Sequence, residues 1–106
     1  MSHDVAADEL LRQIESSDAP LVLDVRSRAE FDAGHVPGSV NLPFWVIPFR
    51  ASSLAVKPDE PIVVYCGHGP RAQLAMAALR MRGFTRVGCL TGHWAEWRRL
   101  GRPEEK

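Results

Sequence analysis

Residues 62–71 read IVVYCGHGPR, and this stretch decides the fold. Its first five residues form a continuous apolar run, which is typical of a strand buried on both faces of a parallel sheet. Gly67 and Gly69 indicate a loop after that strand, and residues 71–82 carry apolar side chains at helical spacing, followed by Gly83 as a C-terminal cap. A buried strand joined to a helix by a short loop is the repeating unit of a parallel α/β sheet.

The rest of the chain repeats this alternation of strands and helices. Further strands are predicted at residues 21–25, 39–42 and 86–90, and further helices at residues 7–14 and 94–100. We therefore predict an α/β fold with a central, mostly parallel sheet flanked by helices, formed by residues 1–106 as a single domain. Residues 101–106 are expected to fray.

The bulk composition is that of an ordinary packed domain. Apolar residues make up 45% of the chain, charged residues 25%, and the formal net charge is zero, so neither a nucleic acid nor a membrane is expected as a partner. The two cysteines and four histidines lack metal-ligand spacing, so we expect neither a metal nor another cofactor, and no disulfide scaffold. The first residues lack the features of a signal peptide, which favours a cytoplasmic protein.

Cys66 is the strongest candidate for a catalytic residue. It ends a buried strand, and ligands of open α/β sheets bind at the carboxyl ends of strands. Gly67 and Gly69 allow backbone N–H groups to converge on one point, and the helix that begins near Arg71 adds the positive end of its dipole. These groups, with the charges of Arg71 and of a protonated His68, favour a thiolate. We therefore predict a nucleophile, against the alternative of a small buried core residue.

Three motifs in this order resemble those of rhodanese-like domains. Residues 23–26 (LDVR) and 30–43 (EFDAGHVPGSVNLP) resemble the amino-terminal signature, residues 66–71 (CGHGPR) the active-site loop, and residues 90–97 (LTGHWAEW) the carboxyl-terminal segment. The resemblance covers residues 10–103 and implies a parallel sheet flanked by helices. It also implies a sulfurtransferase that works by double displacement, with a persulfide on Cys66.

By the same resemblance, Cys66 and Arg71 are the catalytic residues. The substrate-binding residues of the loop are then Gly67, His68, Gly69 and Pro70. The implied donor is a small molecule such as thiosulfate or mercaptopyruvate, and the acceptor is a thiol, a protein or, in an assay, cyanide. Gly67 stands where many members carry a basic residue, which leaves fewer charges for the doubly negative thiosulfate. His93 stands where a second glycine is usual, so the donor stays open.

Two other functions stay open as well. Phosphatases of the cysteine type also hold a thiolate in an N–H cradle, but their loop has five residues between cysteine and arginine, whereas four separate Cys66 from Arg71. The shorter loop suits one sulfur atom better than a phosphate, which disfavours a phosphatase or an arsenate reductase. The apolar segment at residues 44–49 indicates either a sulfur carrier that docks on other proteins or core packing under a loop.

Polar residues outside the loop have structural interpretations beside functional ones. Asp24 and Arg26 are predicted either to form a charged pair at the rim of the site that orients the loop and belongs to the substrate-binding residues, or to form an ion pair within the fold, and the sequence favours neither. His35 is expected to hold its turn by a hydrogen bond rather than to act in catalysis, and Asn41 to bind the backbone. Cys89 is expected to be an inert core residue.

Overall fold

The computed structural model describes residues 3–106 and confirms the α/β fold. The sheet contains β1 (Leu21–Asp24), β2 (Val40–Asn41), β3 (Ile62–Tyr65) and β4 (Val87–Cys89), which run parallel in the order β2-β1-β3-β4. The helices are α1 (Ala7–Glu15), α2 (Arg28–Ala33), α3 (Ile47–Arg50), α4 (Pro70–Met81) and α5 (His93–Arg99), and 3-10 turns at Phe44–Val46 and Ala51–Ser53 flank α3. Within residues 3–106, no helix has the length and apolar character needed to cross a membrane.

Strand β3 lies inside the sheet and is buried over its whole length. Ile62 and Val64 pack with residues of α3 and α4 on one face, and Val63 and Tyr65 pack with residues of α1 and α5 on the other. Burial on both faces explains why the strand reads as a continuous apolar run instead of an alternating one. Each fully buried aliphatic side chain stabilises the fold by about 1.5–3 kcal/mol.

Helix α2 was not predicted from the sequence patterns, although its start carries a recognisable signal. Ser27 and Glu30 form a capping box: the Ser27 hydroxyl accepts a hydrogen bond from the Glu30 N–H at 3.3 Å, and the Glu30 carboxylate accepts one from the Ser27 N–H at 3.1 Å. The helix has six residues and buries none of them. It therefore lacks the apolar face that makes a helix recognisable by its periodicity.

The carboxyl terminus is held in place, so the prediction that residues 101–106 fray is wrong. His35 and Glu105 exchange backbone hydrogen bonds of 2.8 and 2.9 Å as an antiparallel bridge, and the Glu105 carboxylate accepts a bond from the Gly38 N–H at 2.8 Å. The indole N–H of the buried Trp97 donates to the Pro103 carbonyl oxygen at 2.8 Å. The bonds to the turn at residues 34–38 join segments that are far apart in the chain, so no local sequence pattern shows them.

Candidate active site

Cys66 lies directly after β3, at the carboxyl edge of the sheet, and is completely buried, with 0% exposed. The Gly69 N–H donates a hydrogen bond to the Cys66 Sγ at 2.9 Å. To present its amide in this way, Gly69 takes a φ of 133°, a conformation that residues with a β-carbon rarely adopt. The glycine is therefore required by the backbone geometry that directs the amide at the sulfur.

Helix α4 begins at Pro70, directly after that amide. Its twelve residues direct the positive end of the helix dipole toward the loop. Pro70 occupies the first helical position and has no N–H, so it starts the helix and cannot donate to an anion. Among the hydrogen bonds of residues 3–106, the Gly69 N–H is the one backbone donor to the Cys66 Sγ. The composition of the loop had suggested a full ring of such amides.

Complete burial of Cys66 is also what an inert core cysteine shows, and the residue belongs to the same buried apolar cluster as Val25, Val64 and Ala72. The directed N–H of Gly69 distinguishes this cysteine, because a neutral thiol among apolar side chains gains little from an amide, whereas a thiolate gains a charge-assisted hydrogen bond. Since the residue is not exposed, a donor molecule reaches the sulfur only when some of the surrounding atoms move.

Arg71 is held by Glu30 of α2. Its guanidinium donates to both carboxylate oxygens of Glu30, at 2.6 and 3.1 Å, and Glu30 also accepts bonds from the N–H and hydroxyl of Ser27. The bonds from Arg71, followed by those from Ser27, lower the pKa of Glu30 to about 2 against the opposing effect of burial, so this carboxylate is charged at neutral pH. Glu30 raises the pKa of Arg71, and Cys66 adds a smaller contribution in the same direction. Arg71 therefore lies beside both Glu30 and Cys66, with its charge balanced by Glu30.

Glu30 was not among the predicted site residues. It stands in the amino-terminal signature and in a capping-box pattern, and both features were legible in the sequence. Its contact with Arg71 joins residues that are 41 positions apart, so the pairing depends on how α2 is placed beside the start of α4. The sequence therefore predicted the cation of this ion pair but not the anion.

The first turn of α5 holds the active-site loop. The Trp94 and Ala95 N–H groups donate to the Cys66 and Gly67 carbonyl oxygens at 3.0 and 3.1 Å. The buried His93 accepts a hydrogen bond from the Cys66 N–H on its Nδ1 atom at 3.3 Å. Burial lowers the pKa of His93, which keeps the ring neutral at pH 7 and its Nδ1 atom able to accept.

The two remaining predicted loop residues differ in their surroundings. Gly67 is half-buried, and a β-carbon built on it would lie 3.2 Å from a guanidinium nitrogen of Arg71. A larger residue at position 67 would therefore press on Arg71, whose flexible side chain can shift. His68 is exposed at the surface of the loop, where its ring is open to solvent.

Asp24 and Arg26 form an ion pair in the interior, with 0% and 3% exposed. Arg26 donates to both Asp24 carboxylate oxygens, the shortest bond being 2.6 Å, and to the Gly34 carbonyl oxygen at 2.7 Å. Its guanidinium also lies 4.8 Å from the centre of the Trp94 ring. Because the two side chains bond each other and Arg26 also bonds the backbone at Gly34, their polar groups are engaged within the fold, which favours the ion pair within the fold over the substrate-binding interpretation.

The other polar predictions concern residues that hold the structure. The ring of His35 stacks on Phe31 with 3.6 Å between centroids, and its Nδ1 atom lies 2.8 Å from the Phe31 carbonyl oxygen. Asn41 donates to two carbonyl oxygens at the end of β1, at 2.9 and 3.1 Å, which confirms its predicted bond to the backbone. Burial raises the pKa of Cys89 to about 11, so its thiol is protonated at neutral pH.

The chain is similar to known proteins over almost its whole length. Residues 6–100 match the family model of the rhodanese-like domain. A sulfurtransferase of Allochromatium vinosum is 32% identical over 103 residues, covering 97% of this chain and 94% of that protein. A thiosulfate sulfurtransferase of Pseudomonas aeruginosa is 37% identical over 93 residues, covering 87% and 81%. The crystal structure of the Alr3790 protein from Anabaena sp. superposes with a TM-score of 0.85 at 31% identity, covering 95% of this chain and 90% of that chain. With a parallel sheet, a cysteine loop and these similarities in agreement, the chain belongs to the rhodanese-like domain family.

Proposed function

We propose that the protein transfers a sulfane sulfur from a donor to an acceptor through a persulfide on Cys66. The observation that carries the proposal is the Gly69 N–H at 2.9 Å from the Cys66 Sγ, at the start of α4. Membership of a family with relatives named sulfurtransferases supports it. An amide and a helix dipole stabilise an anionic sulfur, whether it is the thiolate or the outer atom of a persulfide.

With thiosulfate as the donor, the reaction is a double displacement. The Cys66 thiolate attacks the outer sulfur of thiosulfate. A new S–S bond forms, the bond to the sulfonate sulfur breaks, and sulfite leaves with the electron pair, so the total charge is conserved. In the second half, an acceptor thiolate or cyanide attacks the outer sulfur of the persulfide, and Cys66 leaves as a thiolate.

The charges at the site favour a donor that carries less charge than thiosulfate. Glu30 already balances the positive charge of Arg71, and Gly67 adds none. A doubly negative donor beside a thiolate then gains little compensating attraction. Thiosulfate is the convenient assay donor, and mercaptopyruvate, with one negative charge, is the second donor to compare with it.

Intact-mass analysis after exposure to each donor tests the proposal. We expect the wild-type protein to gain one sulfur atom, to lose it on treatment with a thiol, and to turn over donor in a steady-state assay. Cys66→Ser removes the gain, whereas Cys89→Ser, the matched control for the other free thiol, retains it. A gain of sulfur that survives Cys66→Ser contradicts the proposal. Equal donor turnover by the wild type and by Cys66→Ser contradicts it as well.

A second candidate function is a sulfur carrier that docks on protein partners and turns over little free donor. It is favoured by Trp45 and Phe49, which are 54% and 83% exposed, whereas Ile47 between them is buried. An exposed aromatic side chain is a common anchor of protein interfaces. Trp45→Ala is expected to weaken sulfur transfer from a donor protein but not from thiosulfate, with Val40→Thr on the edge strand as the control. Equal transfer by both variants argues against docking through this surface.

Phosphatase or arsenate reductase chemistry is the weakest alternative, because the loop between Cys66 and Arg71 is short. An aryl phosphate assay decides it, and hydrolysis that depends on Cys66 would support it.

We further propose that residues 1–106 act as one domain in the cytoplasm. A reducing compartment keeps both cysteines as free thiols, which the nucleophile requires.

A further inference from the structure

His93 has a backbone conformation that favours glycine. Its φ is 57°, in the left-handed region, and it follows Gly92 at a φ of 78°. A residue with a β-carbon is strained in this region, although histidine and asparagine tolerate it better than most. A second glycine, usual in similar domains, would sit here without strain. The imidazole at this position therefore invites a functional explanation.

The imidazole contacts both ends of the turn that contains the nucleophile. Its Nδ1 atom accepts the Cys66 N–H at 3.3 Å, and a β-carbon built on Gly69 would lie 3.4 Å from its Nε2 atom. Gly69 is the residue whose N–H donates to the Cys66 Sγ. One ring thus lies against the backbone of the residue that carries the sulfur and against the residue that stabilises its charge.

We propose that His93, in its neutral form, positions the active-site loop for sulfur transfer, and that protonation of His93 disrupts the loop and suppresses the reaction. A neutral ring accepts on one nitrogen, whereas a protonated ring donates on both. Protonation of Nδ1 would therefore set two donors against each other and leave the Cys66 N–H without its acceptor. His93 is a positioning residue in this proposal, which rests on the proposed function because it concerns the same reaction.

The groups that face the ring set the pH at which this occurs. Burial has the largest effect and lowers the pKa of His93 below its ordinary value of 6.5. Asp4, from the segment before α1, raises this pKa, and His68, from the active-site loop, lowers it. Cys66 itself faces the ring through its backbone. The ring is neutral at pH 7, so protonation takes effect on the acid side of 6.5.

The pH dependence of kcat/KM tests the proposal in the full chain. Activity of the wild type requires a neutral His93 ring, so log kcat/KM is expected to fall more steeply on the acid side of 6.5, by one further unit per pH unit, than in a variant that cannot titrate at position 93. His93→Asn keeps an acceptor oxygen near the position of Nδ1 but cannot titrate, and we expect the shallower slope. His93→Gly also gives the shallower slope and lowers kcat about tenfold, because the Cys66 N–H loses its acceptor. His3→Asn, which removes an exposed histidine, is the control and keeps the wild-type slope.

Nuclear magnetic resonance gives a readout that does not depend on turnover. In Cys66→Ser, which removes the thiol, the backbone amide of residue 66 is expected to titrate with the same midpoint as the His93 ring, and this titration disappears when His93→Asn is added. The proposal is overturned by an amide that does not follow the ring, or by a His93→Asn slope equal to that of the wild type. If the protein never acquires sulfur on Cys66, the proposed function fails, and the amide titration still decides whether His93 controls the loop.

Discussion

Substitution of Gly69 by alanine is the most direct test of how the loop stabilises the Cys66 sulfur. At a φ of 133°, a β-carbon adds strain whatever space surrounds it, on the order of 1–2 kcal/mol. The nearest atom to the new carbon would be the His93 Nε2 at 3.4 Å, an ordinary contact, so the effect arises from the backbone and not from a clash. We expect the loop to relax and turn the residue 69 amide away from the sulfur.

Loss of this amide removes the 2.9 Å hydrogen bond to the Cys66 Sγ. A hydrogen bond to an anionic sulfur contributes about 1.5–3 kcal/mol, so the rate of sulfur transfer from thiosulfate to Cys66 is expected to fall about tenfold or more. Intact-mass analysis of the sulfur gained over time at one pH, with Cys66→Ser as the blank, measures this rate. Cys89 stays protonated at neutral pH, because burial raises its pKa to about 11.

Gly83→Ala is the matched control. Gly83 also has a positive φ, 97°, with open space around the position of a β-carbon, and it lies after α4, at the opposite end of that helix from the loop. The two variants are therefore expected to lose similar stability in thermal unfolding, but only Gly69→Ala slows the transfer of sulfur to Cys66, by about tenfold or more. If both variants keep the wild-type rate, the Gly69 amide does not stabilise the anionic sulfur and the reasoning is refuted.

Three further perturbations test the charges around the site. Glu30→Gln is expected to lower stability at pH 7 by about 1 kcal/mol, because the ion pair with Arg71 is partly exposed. This difference, measured by urea unfolding, shrinks as the pH falls from 4.5 toward about 2, because the lowered pKa of Glu30 stabilises the fold only while its carboxylate is charged. Gly67→Arg adds a cation beside the sulfur, so kcat/KM is expected to rise about fivefold for the doubly negative thiosulfate and less for the singly negative mercaptopyruvate. An equal rise of kcat/KM for the two donors would contradict the proposal that charge at the site decides between them. Asp24→Asn is expected to lower the free energy of unfolding by about 3–5 kcal/mol, because it breaks the buried pair with Arg26. The control Asp32→Asn breaks an exposed helical pair with Arg28 and is expected to cost less than about 0.5 kcal/mol. Similar losses in the two variants would show that burial of the Asp24–Arg26 pair has no energetic importance.

The sequence predicted most of the sheet because strand burial leaves a local record. Residues 62–65 are apolar without interruption since both faces of β3 are covered, and residues 21–24 follow the same rule apart from the charged Asp24. Helix α4 was predicted near its true bounds because its apolar face and the following Gly83 are local features. Helix α2 was missed because it buries none of its residues and therefore has no apolar stripe.

The sequence by itself determined the order of strands and helices, the cysteine after β3 and the glycines of its loop, because each depends on residues close together in the chain. Only the tertiary structure decided which groups meet at that cysteine. Glu30 reaches Arg71 from α2, His93 reaches the Cys66 N–H from α5, and Asp24 with Arg26 lies in the interior instead of at the rim of the site. These outcomes depend on how helices pack against the sheet, and the packing energy that selects them is spread over many side chains that no single motif contains.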